Sequence, residues 1–473
     1  MALRAGWWDQ ARRILGDRLL DDPSALEPYG HDESAVEEYR GLPEAVARPR
    51  DETEISRLLA LCRRERVPVT VRGAGTGLAG GCVPVPGGIV LSTELMNRIV
   101  DTDPENLTIT VQAGVPLRRL YEEVEQMSLY FPPHPGDEGA TVGGAVAANA
   151  GGARAVKYGT VRRFVLALQV VLASGDILDL GGKYIKSSTG YHLADLLIGS
   201  EGTLGVITRI TLSLLPRVGS VQTLLAPFAT AAAAIAAVGG LLGAGVMPCA
   251  VEYIERPVVG LAEKLLNKSW PSHDGEADLL LILDGRDSSD TLAQAEAAGS
   301  ALEASGARDV LISDSRERQA ELLEIRSVFY DAMRPGTAEG FDICVPRSQI
   351  APHLDVVRRL EREHGVLLPT YGHAADGNLH SHTLRRELRD GAFGAELPDW
   401  REKSATIRRL LYEDVIGRGG VISGEHGIGL ARKDFLPRNV RPELIAVMRA
   451  IKKALDPEGI LNPGKIFSRG APE

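Results

Sequence analysis

Between Arg72 and Ile207 the chain carries four glycine-rich clusters set among short β-type runs, a pattern that few folds accommodate. They are Arg72-Gly73-Ala74-Gly75-Thr76-Gly77 with its continuation to Gly81, Pro132 to Asp137 with Pro135-Gly136, Thr141 to Gly152 followed by Lys157-Tyr158-Gly159, and Gly199 to Ile207. Each glycine surrenders more backbone entropy on folding than any other residue, and a fold recovers that only through tight turns, close packing or close approach of a ligand. One such cluster reads as a turn. Four within about 140 residues point to a ligand site lined by main chain.

The first cluster contains a literal G-x-G-x-x-G at Gly75, Gly77 and Gly80 after a β run, Val67 to Val71. A Rossmann turn must open a helix whose N-terminus holds the pyrophosphate. Here Cys82-Val-Pro-Val-Pro-Gly-Gly88 follows, and two prolines with two glycines cannot continue a helix. What survives is a nest of backbone N–H groups near Arg72, suited to phosphate without a helix.

The rest of the chain divides by texture. Residues 1–216 read as an α+β nucleotide-type domain: an opening helix, an amphipathic helix from Asp51 with acids in its first turn, then strands near 67–71, 88–92, 107–111, 167–172 and 204–212. Residues 217–420 alternate helices (about 230–245, 289–304, 316–333, 348–364, 400–417) with strands (250–254, 278–284, 341–345), which predicts a cap domain of helices on one face of an antiparallel sheet. Residues 421–473 return to the first domain and end in a helix near Leu455. The uncharged stretch from Val218 to Val251 is long, but its alanines and glycines carry little transfer free energy, so no transmembrane span is expected.

With 473 residues, a formal net charge of -10 and 44% hydrophobic residues, the chain can build large cores and has no basic field to hold nucleic acid. Cys62, Cys82, Cys249 and Cys344 are widely separated, which fits reduced cytoplasmic thiols and leaves no motif for an iron–sulfur cluster.

A second constellation carries the chemistry. His373-Ala-Ala-Asp376-Gly-Asn378-Leu-His380 is followed by Gly424-Glu425-His426-Gly427. Two imidazoles and a carboxylate are a ligand set for a borderline-soft divalent cation, and they leave positions open for substrate. Asp376-Gly-Asn378 predicts a tight turn between strands that brings His373 and His380 together. Asp376 is the expected orienting partner of an imidazole, and His426 stands beside Glu425 as a base. A pure metallohydrolase would use these residues but leave the glycine loops without a purpose.

Taken in order, Arg72-Gly-x-Gly-Thr-Gly77, Phe131-Pro-Pro, Asn149-Ala-Gly-Gly152, Lys157-Tyr-Gly159, Gly199-Ser-Glu-Gly-Thr-Leu-Gly205 and Leu461-Asn462-Pro-Gly-Lys465 closely resemble the vanillyl-alcohol oxidase and p-cresol methylhydroxylase superfamily of FAD-linked oxidases. Within it they resemble the branch of D-lactate dehydrogenases, glycolate oxidase flavin subunits and D-2-hydroxyglutarate dehydrogenases. The resemblance implies a p-cresol methylhydroxylase-type FAD domain plus a cap. Arg72 to Gly77 would cradle the pyrophosphate. Pro135, Gly136, Thr141, Gly143, Gly144, Asn149, Gly151, Gly152, Tyr158 and Gly159 would line the flavin and ribityl chain, and Glu201, Gly202 and Ile207 the adenine side, with Asn462 also at the cofactor. No histidine stands in the first loop where covalently flavinylated relatives carry one, so non-covalent FAD is expected.

The same resemblance makes His373, His380 and Glu425 ligands of zinc or manganese and His426 the base. Arg326, Tyr330, Asn378 and His382 would meet the substrate, with Arg326 on its carboxylate. The implied reaction is oxidation of a D-2-hydroxy acid to the 2-oxo acid, with hydride to flavin N5 and electrons passed to a quinone, cytochrome, electron-transfer flavoprotein or iron–sulfur subunit. Members acting on 2-hydroxyglutarate carry lysine where Gly340 stands and threonine where Tyr330 stands, which favours lactate- or glycolate-like acids here. The alternatives are the flavin subunit of a glycolate oxidase-type complex and a non-redox alkyl-glycerone-phosphate synthase-like enzyme; the latter carries a run of histidines where Gly424 to Gly427 stand. A cytoplasmic protein, peripheral to the inner membrane through a partner, is expected, with a homodimer left open.

Overall fold

The computed structural model describes residues 3–313 and 315–468; the extreme ends of the first and last expected segments lie outside these. The chain forms two units, one of Met1–Gly151, Thr160–Arg217 and Glu425–Glu473 and one of Gly152–Gly159 and Val218–Gly424. The fold is mixed α and β.

In the first unit, strands Ala45–Ala47 and Val69–Arg72 run parallel to Ile89–Ser92 between them. A five-stranded antiparallel sheet takes the order Ile99–Asp103, Thr108–Gln112, Val206–Ser213, Val165–Val171, Ile177–Gly181. The strand expected from Val67 starts at Val69, since Pro68 has no N–H to give a ladder. The helix Glu52–Glu65 is capped by the Asp51 carboxylate on the Glu54 amide. It buries Ile55, Leu58, Leu59 and Cys62 against Val69, Ile89 and Leu91.

The second unit is built on a seven-stranded antiparallel sheet, in the order Leu311–Ile312, Ser220–Phe228, Ala277–Gly285, Ala250–Glu255, Thr370–His373, Asn378–Leu384, Thr337–Cys344. The uncharged stretch around 218–251 becomes a strand, the helix Ala231–Gly243 and the start of another strand. Among the described residues no helix is long and apolar enough to cross a membrane.

Helices occupy both faces of this sheet, where the sequence pattern predicted one. On one face the helix Trp400–Gly417 sets Tyr412 against Phe341, and Arg358 of the helix Ile350–His364 reaches Glu255. On the other face Arg256–Leu266, Arg316–Ser327 and Phe329–Met333 pack on Leu225, Ile254, Leu280 and Tyr371. Continuous burial along the central strands conceals the second covered face, because a doubly covered strand reads as an unbroken apolar run with no alternation. The helix expected over 316–333 is broken at Val328, next to Ser327, whose hydroxyl donates back to the Glu324 carbonyl at 2.8 Å.

Candidate functional site

In the first unit the loop after Val69–Arg72 runs from Gly73 to Gly81 without a helix. Gly75 and Gly80 take positive φ (87° and 71°), which glycine alone tolerates at little cost. A Cβ on Gly73 would collide with the Thr141 hydroxyl, so this loop lies directly on the cap of the helix Val142–Ala148. The peptide N–H groups of Gly73, Ala74, Gly75, Thr76 and Gly77 donate to no protein acceptor among the described residues. Such a run of consecutive donors fits a dinucleotide pyrophosphate.

Arg72, expected at the pyrophosphate, has protein partners beneath the loop. Its guanidinium turns inward to the carbonyls of His31 (2.5 Å) and Pro28 (3.2 Å) and to the Cys82 sulfur (3.1 Å). It props the loop from beneath, through bonds to the His31 and Pro28 carbonyls and the Cys82 sulfur. Asp32 supports the far end, accepting from the Gly80 amide at 2.6 Å. Burial raises the Asp32 carboxyl from 3.8 to about 6, against the lowering effect of the Ser34 and Gly80 amides.

The sign follows from tighter proton binding in the folded state. Asp32 leaves stability intact below about pH 4, weakens it as pH rises to about 6, and changes nothing beyond. At 1.36 kcal/mol per unit this amounts to about 3 kcal/mol. Urea unfolding of wild type and Asp32→Asn across pH 4–7 is expected to show that slope in wild type only; parallel curves would refute it.

Thr141 caps its helix through the Gly144 amide (3.2 Å), and Gly143 sits where a Cβ would meet Ala113 at 2.6 Å. Asn149, at φ 51°, accepts from the Thr160 hydroxyl and the Arg162 amide through its side-chain oxygen. Pro135-Gly136 lies in an irregular segment with Gly136 at φ 91°, and Gly151 borders the Glu425 carboxylate. Gly152, Tyr158 and Gly159 fall in the second unit, where the Tyr158 hydroxyl and Lys157 ammonium both donate to buried Asp284.

Glu201 (φ 52°), expected on the adenine side, points its carboxylate to the amides of Ile428 (2.8 Å) and Gly429 (2.7 Å). Burial pushes its pKa up, opposed by those two amides. It therefore clamps the backbone that immediately follows Glu425 and His426, which sequence reasoning did not foresee. Gly202 lies against Val71 and Asn462, and Ile207 is buried in strand Val206–Ser213. The Asn462 amide ties the carbonyls of Gly81 (3.1 Å) and Glu201 (2.6 Å) together.

In the second unit His373 and His380 stand on a hairpin joined by residues 374–377. Asp376 accepts from the Asn378 amide at 3.1 Å and shapes the turn, while Gly377 (φ 93°) passes so near the Val345 carbonyl that a Cβ would collide. The two imidazoles face the same side with ring centroids 5.4 Å apart, nearly perpendicular. Each is flanked by a carboxylate directly in register on the neighbouring strand: Glu252 beside His373 and Asp342 beside His380.

Glu252 accepts from Nδ1 of His373 at 2.5 Å and from Nε of Arg326 at 2.7 Å. Burial alone would raise the Glu252 carboxyl, but the Arg326 and His373 charges outweigh it and hold it at about 2. Asp342 accepts from the Asn378 amide (2.9 Å) and the Ser423 hydroxyl (2.8 Å), and lies 3.8 Å from Nδ1 of His380. The second Asn378 proton goes to the Ile343 carbonyl, so toward a substrate Asn378 could act only as an acceptor. His382 stacks on Tyr371 (5.7 Å, 9° between planes) with Tyr330 at 5.9 Å, opposite Gly340 in register.

The imidazole partner expected at Asp376 is thus supplied for His373 by Glu252. The available signal was a carboxylate, Glu252, set in mid-strand between Val251 and Tyr253. Gly424 is anchored to this unit: its amide donates to the Asp342 carbonyl (3.1 Å), and a Cβ there would strike the Asn378 amide. Glu425 and His426 follow by one and two peptide bonds, with His426 Nε2 3.9 Å from the Glu425 carboxylate.

A glycine-rich loop without a following helix in the first unit, and a broad antiparallel sheet in the second, are the features of an FAD-linked oxidoreductase, and comparison with known proteins agrees. The chain belongs to the FAD-linked oxidases: residues 43–181 match the model of their FAD binding domain and 219–466 that of their C-terminal domain. It is 41% identical to a D-lactate dehydrogenase of Archaeoglobus fulgidus, over 90% of this chain and 91% of that one. It is 36% identical to the glycolate oxidase subunit GlcD of Bacillus subtilis, over 98% and 97%. The fold is that of p-cresol methylhydroxylase, with a TM-score of 0.79 at 18% identity, covering 100% of this chain and 99% of that one.

Proposed function

We propose that this enzyme oxidises a D-2-hydroxy acid of lactate or glycolate type to the 2-oxo acid, using non-covalent FAD and a divalent metal, zinc or manganese. The observation that carries the reading is the pair His373 and His380, each beside an in-register carboxylate, with Glu425 one peptide bond beyond the anchored Gly424. The donor set of two imidazoles and a carboxylate fits such a cation. The names of the two relatives above, D-lactate dehydrogenase and glycolate oxidase subunit, support the substrate class.

When bound, FAD supplies a two-electron acceptor and the metal a Lewis acid. The chain's own residues do the rest. His373, His380 and Glu425 hold the cation, and His426 accepts the substrate hydroxyl proton, a task imidazole performs well near neutral pH. Tyr330 and His382 form an aromatic wall on the sheet face of the histidines, which favours a small or apolar substituent over a second carboxylate. The amides of Gly73 to Gly77 hold the pyrophosphate, and Glu201 steadies the chain just after His426.

The electrons then pass from the flavin to a separate acceptor. The GlcD likeness favours a second reading on that point alone, in which the chain is the flavin subunit of a larger assembly. Anaerobic mixing with D-lactate, glycolate and D-2-hydroxyglutarate, each followed at the flavin band, tests the substrate reading. Lactate or glycolate is expected to react with at least about tenfold higher kcat/KM than 2-hydroxyglutarate, about 1.4 kcal/mol of discrimination. Preference for the diacid would overturn the reading.

A further inference from the structure

We infer that Glu252 is a positioning residue for His373, one that commits Nε2 of that imidazole to the metal and is itself held in place by Arg326. The inference rests on the reading of His373 as a metal ligand. Glu252 lies in mid-strand, directly opposite His373, with its side chain only 2% exposed. A carboxylate buried there is costly unless its oxygens are engaged.

Both oxygens are engaged, and by different partners. One takes Nδ1 of His373, the other the Arg326 guanidinium through Nε and Nη2. Arg326 in turn lies over the rings of Phe329 (5.4 Å) and Tyr371 (5.2 Å), which fix its plane. An imidazole without a partner on Nδ1 can rotate and offer either nitrogen. With Nδ1 bound to Glu252 it offers one, and its basicity rises as carboxylate hydrogen bonding increases electron density on the ring.

The chain Arg326–Glu252–His373 also changes the meaning of Arg326. Its guanidinium donates to a protein carboxylate, that of Glu252, so losing it should disturb metal binding even when no substrate is present. A residue serving only to hold a substrate carboxylate would leave metal affinity untouched.

The test measures Zn(II) affinity of the FAD-loaded, metal-stripped protein by competition with a chromogenic chelator, in the absence of substrate. Glu252→Gln is expected to weaken binding about 10- to 100-fold, and Arg326→Gln to weaken it in the same direction. Wild-type affinity in Glu252→Gln would overturn the inference, and wild-type affinity in Arg326→Gln would overturn the part assigned to Arg326. Should Glu252→Gln fail to fold, wild-type protein labelled with ¹⁵N-histidine and loaded with ¹¹³Cd answers the same question. Scalar coupling from cadmium to Nε2 of His373 is expected; coupling to Nδ1 would overturn the inference. A wild type that takes up no metal at all would instead sink the reading beneath it, a result distinct from either of these.

Discussion

His426→Ala is expected to slow reduction of the bound flavin by D-lactate about 10²- to 10⁴-fold, the usual worth of a well-placed general base, while FAD and metal remain bound. The reason for retention is local. The backbone is secured on either side of His426: the clamp is Glu201 on the amides of Ile428 and Gly429, and the anchor is Gly424 on the Asp342 carbonyl. Truncating the imidazole therefore removes proton transfer and leaves the segment in place. Stopped-flow absorbance at the flavin band, with FAD content measured beside it, checks both halves. A wild-type rate would remove His426 from the chemistry.

His380→Ala is expected to abolish metal binding and lower kcat/KM for D-lactate by about 10³-fold, corresponding to the several kcal/mol that Lewis-acid stabilisation contributes. His380 is the sharper choice of the two histidines because of what surrounds it. Removing His373 strands the Glu252 carboxylate with Arg326 alone, whereas Asp342 beside His380 keeps its bonds from Asn378 and Ser423. The fold should therefore tolerate His380→Ala better. Metal content by elemental analysis, together with thermal unfolding, separates loss of the site from loss of the protein. A variant that keeps its metal and its rate would exclude His380 as a ligand.

How much of this was legible in the chain depends on whether a residue's role is local. The glycine loops were readable because their meaning is local: Gly75 and Gly80 need positive φ, and the prolines after Cys82 forbid a Rossmann helix. The hairpin between His373 and His380 was readable for the same reason, since Asp376-Gly377-Asn378 encodes its own turn.

Roles that depend on partners far away in sequence were not readable. Glu252 meets His373 across 121 residues, Glu201 meets Ile428 across 227, and Arg72 turns to His31 across 41. In each case the residue type was visible and the partner was not. Arg72 beside the glycines reads as phosphate chemistry; its bonds to the His31 and Pro28 carbonyls could not be read from the sequence. The second covered face of the cap sheet escaped for a related reason, because strands buried on both sides show no alternation to read.

The reaction proposed is metal-dependent oxidation of a D-2-hydroxy acid by the bound flavin. Its most direct test is anaerobic addition of D-lactate to the purified, FAD-loaded protein, followed at the flavin absorption band with and without prior removal of metal by a chelator. Rapid bleaching by D-lactate but not L-lactate, lost after chelation and restored by Zn(II) or Mn(II), is the predicted result. Bleaching that proceeds unchanged in the stripped protein, or a protein that cannot be loaded with FAD, would contradict it.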